Sequence, residues 1–195
     1  MPRFIEAIRW DRGFLVAGKA YNMPNINQEK ILDRGGKVPV NRGYIPHPKH
    51  IPFEYDQITD HIYVGTNQCC QAHFDDMLLK KGVAADISLE DDRLDAPFGV
   101  QYYLWLPVPD HTPPTYKQLL IGATMLKHLV DNDIRVYLHC KRGHGRSPTL
   151  VSAYFILEGM TASQAIRRVR ERRLIHLRRT QIRALHDFER TLSSS

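Results

Sequence analysis

Residues 136–156, VYLHCKRGHGRSPTLVSAYFI, admit few local geometries. An alternating apolar run ends at Cys140, and Gly143 and Gly145 then permit a tight reversal. Ser147 and Pro148 open a stretch with apolar residues at helical spacing that stops at Gly159. Proline is harmless in a first helical turn, where its missing N–H would have no partner. The pattern predicts a buried strand, a glycine-rich loop and a helix, with a cysteine where the strand meets the loop.

The same alternation runs through residues 55–195. HIYVG (61–65), VAADISL (83–89), VQYYLWLPV (100–108) and RVYLHC (135–140) read as short strands. QAHFDDMLLKKG (71–82) and TYKQLLIGATMLKHLVDN (115–132) read as helices. TASQ (161–164) is a capping box opening a helix that runs to about Arg173, and TQIRALHDFERTL closes the chain as another. Strands alternating with helices predict an α/β domain, a central mainly parallel sheet flanked by helices. Residues 1–54 differ. Pro39, Pro46, Pro48 and Pro52 limit helix and central strand, so an extended N-terminal arm is expected, with a short helix near residues 27–33.

The loop has its own chemistry. A glycine-rich turn between strand and helix directs successive backbone N–H groups inward, and the helix adds its positive N-terminal end, which makes an anion cradle. A thiol at its base, near Lys141, Arg142, His144 and Arg146, has its pKa depressed well below ~8.5 and becomes a nucleophile. Arg146, six residues on, has the fork geometry to grip two phosphate oxygens. Alone, Cys140 would read as a small buried hydrophobe; its setting points to attack on a bound phosphoryl group.

Composition narrows the classes. Hydrophobic residues make up 43% and charged residues 25% of the chain, ordinary for a globular protein. No stretch approaches the ~20 apolar residues of a membrane span. Cys69, Cys70 and Cys140 form no disulfide framework, which suggests a reducing compartment, the cytoplasm. Arg3, Arg9 and Arg12 are spaced as in a mitochondrial presequence, whereas Glu6 and Asp11 argue against one. No Cys or His pair has zinc-ligand spacing, and neither metal nor cofactor is expected. The net charge of +6 favours anionic partners, but the basic run at 165–183 lacks interleaved aromatics, so nucleic acid is not expected.

The run His139-Cys140-Lys-Arg-Gly143-His-Gly145-Arg146-Ser147 resembles the His-Cys-x5-Arg-Ser/Thr signature of the cysteine-dependent protein tyrosine phosphatase superfamily. Size, HIYVGT, LPVPDHTPP and ASQAIRRVRERR resemble its dual-specificity group across residues 55–190. Low-molecular-weight tyrosine phosphatases carry a similar loop near the N-terminus with the acid far downstream; here the order is reversed. The resemblance implies a phosphatase domain over 55–195.

A leaving oxygen needs a proton, and Asp91, Asp92, Asp95 and Asp110 are the carboxyl candidates. Asp110 is preferred: it ends a strand in a Pro-flanked loop, at the sheet edge where α/β proteins gather ligands, and the resemblance places the acid there too. Cys140 would attack phosphorus and form a phosphocysteine. The loop amides of residues 141–146 and the Arg146 side chain would hold the phosphate, and Ser147 would donate to the sulfur. His139, preceding the sulfur on a strand, would point away and orient the loop. The resemblance suggests that Gln181 positions water; its other reading is a surface residue near a helix start. The expected substrate is a phosphorylated protein, with phospholipid at a membrane surface, of phosphoinositide or phosphatidylglycerophosphate type, as the alternative: Lys141 and His144 stand where 3-phosphoinositide phosphatases carry two lysines, and RLIHLRRTQIRALHDFE (173–189) resembles phosphatases of the phosphatidylglycerophosphate type. A catalytically inactive phosphate-binding module is the remaining alternative.

Overall fold

The computed structural model describes residues 53–67, 71–94 and 97–194. Residues 1–52, with the expected arm and its short helix, lie outside the described residues, as do Cys69, Cys70 and Asp95. Five strands form one sheet: β1 (Tyr55–Gln57), β2 (Ile62–Gly65), β3 (Val83–Ser88), β4 (Tyr102–Trp105) and β5 (Arg135–His139). Their order is β1-β2-β5-β3-β4, antiparallel at β1–β2 and parallel elsewhere. The α/β expectation is borne out. The sequence reading had no β1; its residues Tyr-Asp-Gln carry no strand pattern, and the strand exists through its pairing with β2.

The helices are α1 (Gln71–Met77), α2 (Tyr116–Asp131), α3 (Arg146–Leu157), α4 (Ala162–Arg170) and α5 (Arg179–Ser193). The helix expected over 71–82 instead breaks after α1 into a 3-10 turn (Leu79–Lys81) that closes on Gly82 at φ 77°. The strand expected over 100–108 stops at Trp105, before Pro107 and Pro109. Thr115 with Gln118 and Thr161 with Gln164 form reciprocal capping boxes at the starts of α2 and α4.

Strand alternation divides the core. Val136, Leu138 and Cys140 face α2–α5, together with Ile62, Val64, Ala85 and Ile87. Tyr63, Tyr137 and Val83 face the other side, against Phe74 and Leu78. Val83 and Ala85 lie on opposite faces because a register irregularity separates them. Each fully buried aliphatic side chain contributes roughly 1.5–3 kcal/mol. Helix α3 is buried on every side, packed between the sheet and α2, α4 and α5, as expected of a helix apolar all round. At its N-terminal end lies the Cys140 loop. Among the described residues, no helix is long and apolar enough to cross a membrane.

Candidate active site

Cys140 leaves β5 on the same face as Val136 and Leu138, and so points toward the start of α3. His139 takes the opposite face. It is fully buried, stacked on Tyr137 at 5.5 Å, with Nε2 3.5 Å from Asp86 Oδ1. It does not line the cleft above the sulfur.

The loop between Cys140 and α3 is fixed by its carbonyls, five of which are held outward in succession. Asn67 N–H donates to Lys141 O (3.4 Å) and His176 N–H to His144 O (2.9 Å). Arg173 donates from Nη2 to Arg142 O (3.1 Å) and from Nε to Gly143 O (2.9 Å). Thr149 donates its N–H (3.0 Å) and hydroxyl (2.8 Å) to Gly145 O. With the carbonyls turned out, the N–H groups face the space above the sulfur, which is the geometry of an anion nest. Gly143 sits at φ 65°, and a Cβ there would collide with Gly65 O, so the loop can approach β2 only without a side chain.

Arg146, 2% exposed, is anchored on one side. Its Nη1 donates to Val108 O (2.7 Å) and Leu89 O (3.1 Å) and meets Asp91 Oδ1 at 3.2 Å. Its Nη2 is 3.2 Å from Asp110 Oδ1, while among the described residues its buried Nε has no partner. That unused donor on a fixed guanidinium is an anion contact in waiting.

Asp110 and Asp91 therefore approach one arginine from different nitrogens. Asp110 lines the cleft with Cys140; Asp91 does not. Asp110 Oδ1 also accepts from the N–H of His111 (2.9 Å), whose φ of 65° turns the acid loop back on itself. Asp92 is exposed, away from the cleft lining.

Burial alone would push the Cys140 thiol up. The Ser147 hydroxyl and N–H, the Arg146 charge and the Gly143 N–H outweigh it, and the net shift is downward from the ordinary thiol value. Ser147 Oγ is fully buried, has no oxygen or nitrogen partner among the described residues, and interacts with the sulfur.

Gln181 is not the surface residue that one reading allowed. It is 1% exposed and held at both ends: Oε1 accepts from Arg178 N–H (2.9 Å), and Nε2 donates to Thr112 O (3.0 Å). It thereby fastens the acid loop to α5 at the cleft wall.

Arg173 was missed. The sequence reading continued α4 to about Arg173, but the helix ends at Arg170, and the arginine turns under the catalytic loop, where its Nη1 also pairs with Asp56 at 2.6 Å. A signal was available. The buried positions of α4 are Ala162, Ala165, Ile166 and Val169, and Arg173 continues that inward stripe. The β4 aromatics Tyr102, Tyr103 and Trp105 do not line the cleft; Trp105 Nε1 donates to Glu90 O at 2.6 Å.

Comparison with known proteins bears on the fold and the family. The family model described as polymorphic toxin system, DSP-PTPase phosphatase (Tc-R-P), matches residues 63–160. A stretch of 53 residues is 40% identical to mouse laforin; it is 27% of this chain and only 16% of laforin. The crystal structure of PTPMT1 superposes with a TM-score of 0.65 at 23% identity, covering 72% of this chain and 97% of that one. Human DUSP28 superposes with a TM-score of 0.64 at 18% identity, covering 71% and 98%. PTPMT1 has also been solved in complex with PI(5)P (TM-score 0.63, 22% identity, 72% and 97% covered). At such identities the structural likeness shows the fold. Fold and family match together define a cysteine-dependent phosphatase of the dual-specificity class. The chain belongs to the polymorphic toxin system DSP-PTPase phosphatase family, whose model matches half of its length.

Proposed function

We propose that the enzyme hydrolyses phosphomonoesters through a phosphocysteine on Cys140. The observation that carries this reading is the loop itself: five carbonyls held outward, a depressed thiol beneath the inward amides, and an unused Arg146 Nε beside them. The thiolate attacks phosphorus, the bond to the leaving oxygen breaks, and Asp110 gives that oxygen its proton. Arg146 and the amides of residues 141–146 hold the equatorial oxygens, where charge stabilisation matters most. Water then attacks phosphorus, Asp110 takes its proton, and the P–S bond breaks as Ser147 donates to the departing sulfur. Gln181 holds the acid loop in place, and His139 supports the loop from below. A thiolate nucleophile suits a reducing compartment, and the cytoplasm is the proposed one.

A phosphorylated protein side chain is the substrate suggested by a dual-specificity fold. A second reading, a phospholipid, is favoured by the cleft wall, which presents His111, His144, His176 and Arg178 where a phosphotyrosine ring would want apolar surface. The test of the mechanism is Cys140→Ser. The variant should lose turnover of an aryl phosphate and still bind phosphate, and rapid-quench mass spectrometry of the wild type should find one phosphoryl group on the Cys140 peptide. Retention of more than about a tenth of the activity would remove Cys140 as nucleophile.

A further inference from the structure

We propose that His176 and Arg178 form a second anion subsite. The enzyme then takes phosphomonoesters whose alcohol carries a further phosphate, a phosphorylated polyol either free or as a lipid headgroup. The inference rests on the phosphatase reading and names its substrate.

The cleft above Cys140 has a volume of about 780 Å³, far more than one phosphoryl group needs. Its floor is used by the transferred phosphate. The alcohol must lie against what remains, and there the lining is Lys141, Arg142, His144, His176, Arg178 and His111, with Leu177 the aliphatic contribution. Asp110 is the carboxylate of the lining, and it is committed to the chemistry. Ligand clefts for neutral organic groups are mostly apolar; this one is cationic on both sides.

The wall is built rather than incidental. The His176 N–H donates to His144 O at 2.9 Å, which docks the α4–α5 connection directly on the catalytic loop. The two imidazoles meet edge to face at 5.5 Å. Arg178 caps α5, its N–H taken by Gln181 Oε1, and its side chain crosses the cleft to His111, with Nη2 3.2 Å from Nδ1. Arginine only donates, so His111 Nδ1 is the acceptor of that contact. The guanidinium thus has a partner that leaves its charge uncompensated.

Among the described residues, Arg178, Lys141 and Arg142 have no carboxylate partner. Lys127, by contrast, pairs with Asp131 and Glu158, and Lys80 with Asp76; what sets Arg178, Lys141 and Arg142 apart from other unpaired surface cations is that they line one cleft. Burial, Arg173 and His176 push the His144 imidazole down from its ordinary value, against Glu54, whose Oε1 lies 3.7 Å from Nε2 and pulls the other way. Both anions enter one cleft, which places them on one small molecule.

The test uses the full chain with Cys140→Ser and two matched probes, propane-1,3-diol bisphosphate and propyl phosphate, by titration calorimetry. The expected result is that the bisphosphate binds about tenfold tighter, the scale of one charge-assisted fork contact. Adding Arg178→Ala or His176→Ala should cut that ratio to within about twofold of unity, while Arg178→Lys keeps part of it. Using a ratio cancels losses common to both probes. A ratio near unity before either substitution, or one that neither substitution changes, would overturn the subsite. Tighter binding of a doubly phosphorylated peptide than of the bisphosphate would overturn the small-polyol assignment. Wild-type turnover separates the sources: preference for phosphatidylinositol phosphate in phosphatidylcholine vesicles supports the headgroup form, and preference for the soluble bisphosphate supports the free form. A bisphosphate preference in binding with no turnover of any phosphomonoester would overturn the phosphatase reading and leave the subsite standing.

Discussion

Replacing Arg173 with methionine should disable the catalytic loop without touching any group that meets the substrate. The side chain is 3% exposed and donates to two consecutive loop carbonyls, Arg142 O and Gly143 O. Methionine keeps most of the stem's volume and removes the donors. Each hydrogen bond from a charged donor contributes about 1.5–3 kcal/mol. The pair with Asp56 counts for little, under about 1 kcal/mol, because that carboxylate is 46% exposed. The loss should therefore be about 3–6 kcal/mol, or a Tm drop on the order of 10 °C for a domain of this size.

The functional effect is separate. With the strut gone, the two carbonyls are free to rotate inward, and each one that does so replaces a favourable dipole above the sulfur with a repulsive one. If about 3 kcal/mol of the holding energy is lost, kcat/KM should fall roughly 100-fold. The iodoacetamide reactivity profile should move to higher pH, because an amide that turns away no longer stabilises the thiolate. Aryl phosphate kinetics and alkylation rates, both measured well below the variant's Tm, check the two effects. A variant that loses stability as expected but keeps kcat/KM within about threefold and an unmoved alkylation midpoint would show that Arg173 only supports the fold.

Two further outcomes follow from the site. Asp110→Asn should slow alkyl phosphates far more than an activated aryl phosphate and flatten the alkaline limb of the pH–rate profile, whereas Asp91→Asn should weaken both substrate types alike by loosening Arg146; the reverse pattern would exchange their roles. Ser147→Ala removes a group that lowers the Cys140 pKa, so the thiolate should persist over a narrower range and alkylation at slightly acid pH should slow; an unchanged midpoint would mean that the hydroxyl does not serve the sulfur.

What the sequence disclosed about the fold and site is what local chemistry encodes. Both capping boxes, at Thr115 and Thr161, lie within four residues of chain, though only the second was read; the strand–glycine–helix loop lies within about twenty. Strand β1 has no such local signature, since its existence depends on β2. Gln181 shows the same boundary inside the site. Nothing near it in sequence says that its amide will close on Thr112, 69 residues earlier, and a glutamine at a helix start is ordinarily exposed.

Arg173 lies between these cases. An arginine on the inward face of an amphipathic helix is a legible anomaly, because a buried guanidinium must find partners for its donors. Sequence could therefore have said that Arg173 needs acceptors, but not which ones. The acceptors are backbone carbonyls, which every residue possesses, so no side-chain pattern marks them. The same reasoning applies to the cleft wall. The basic run at 165–183 reads as a solvated helix face, and its even spread of arginines hides a division of labour. Arg173 goes beneath the catalytic loop, Arg178 to the cleft, and Arg167, Arg168, Arg170 and Arg172 stay at the surface or near it. Charge composition set the sign of the partner, and only the packing of α4 against α3 and α5 decides which cations face it.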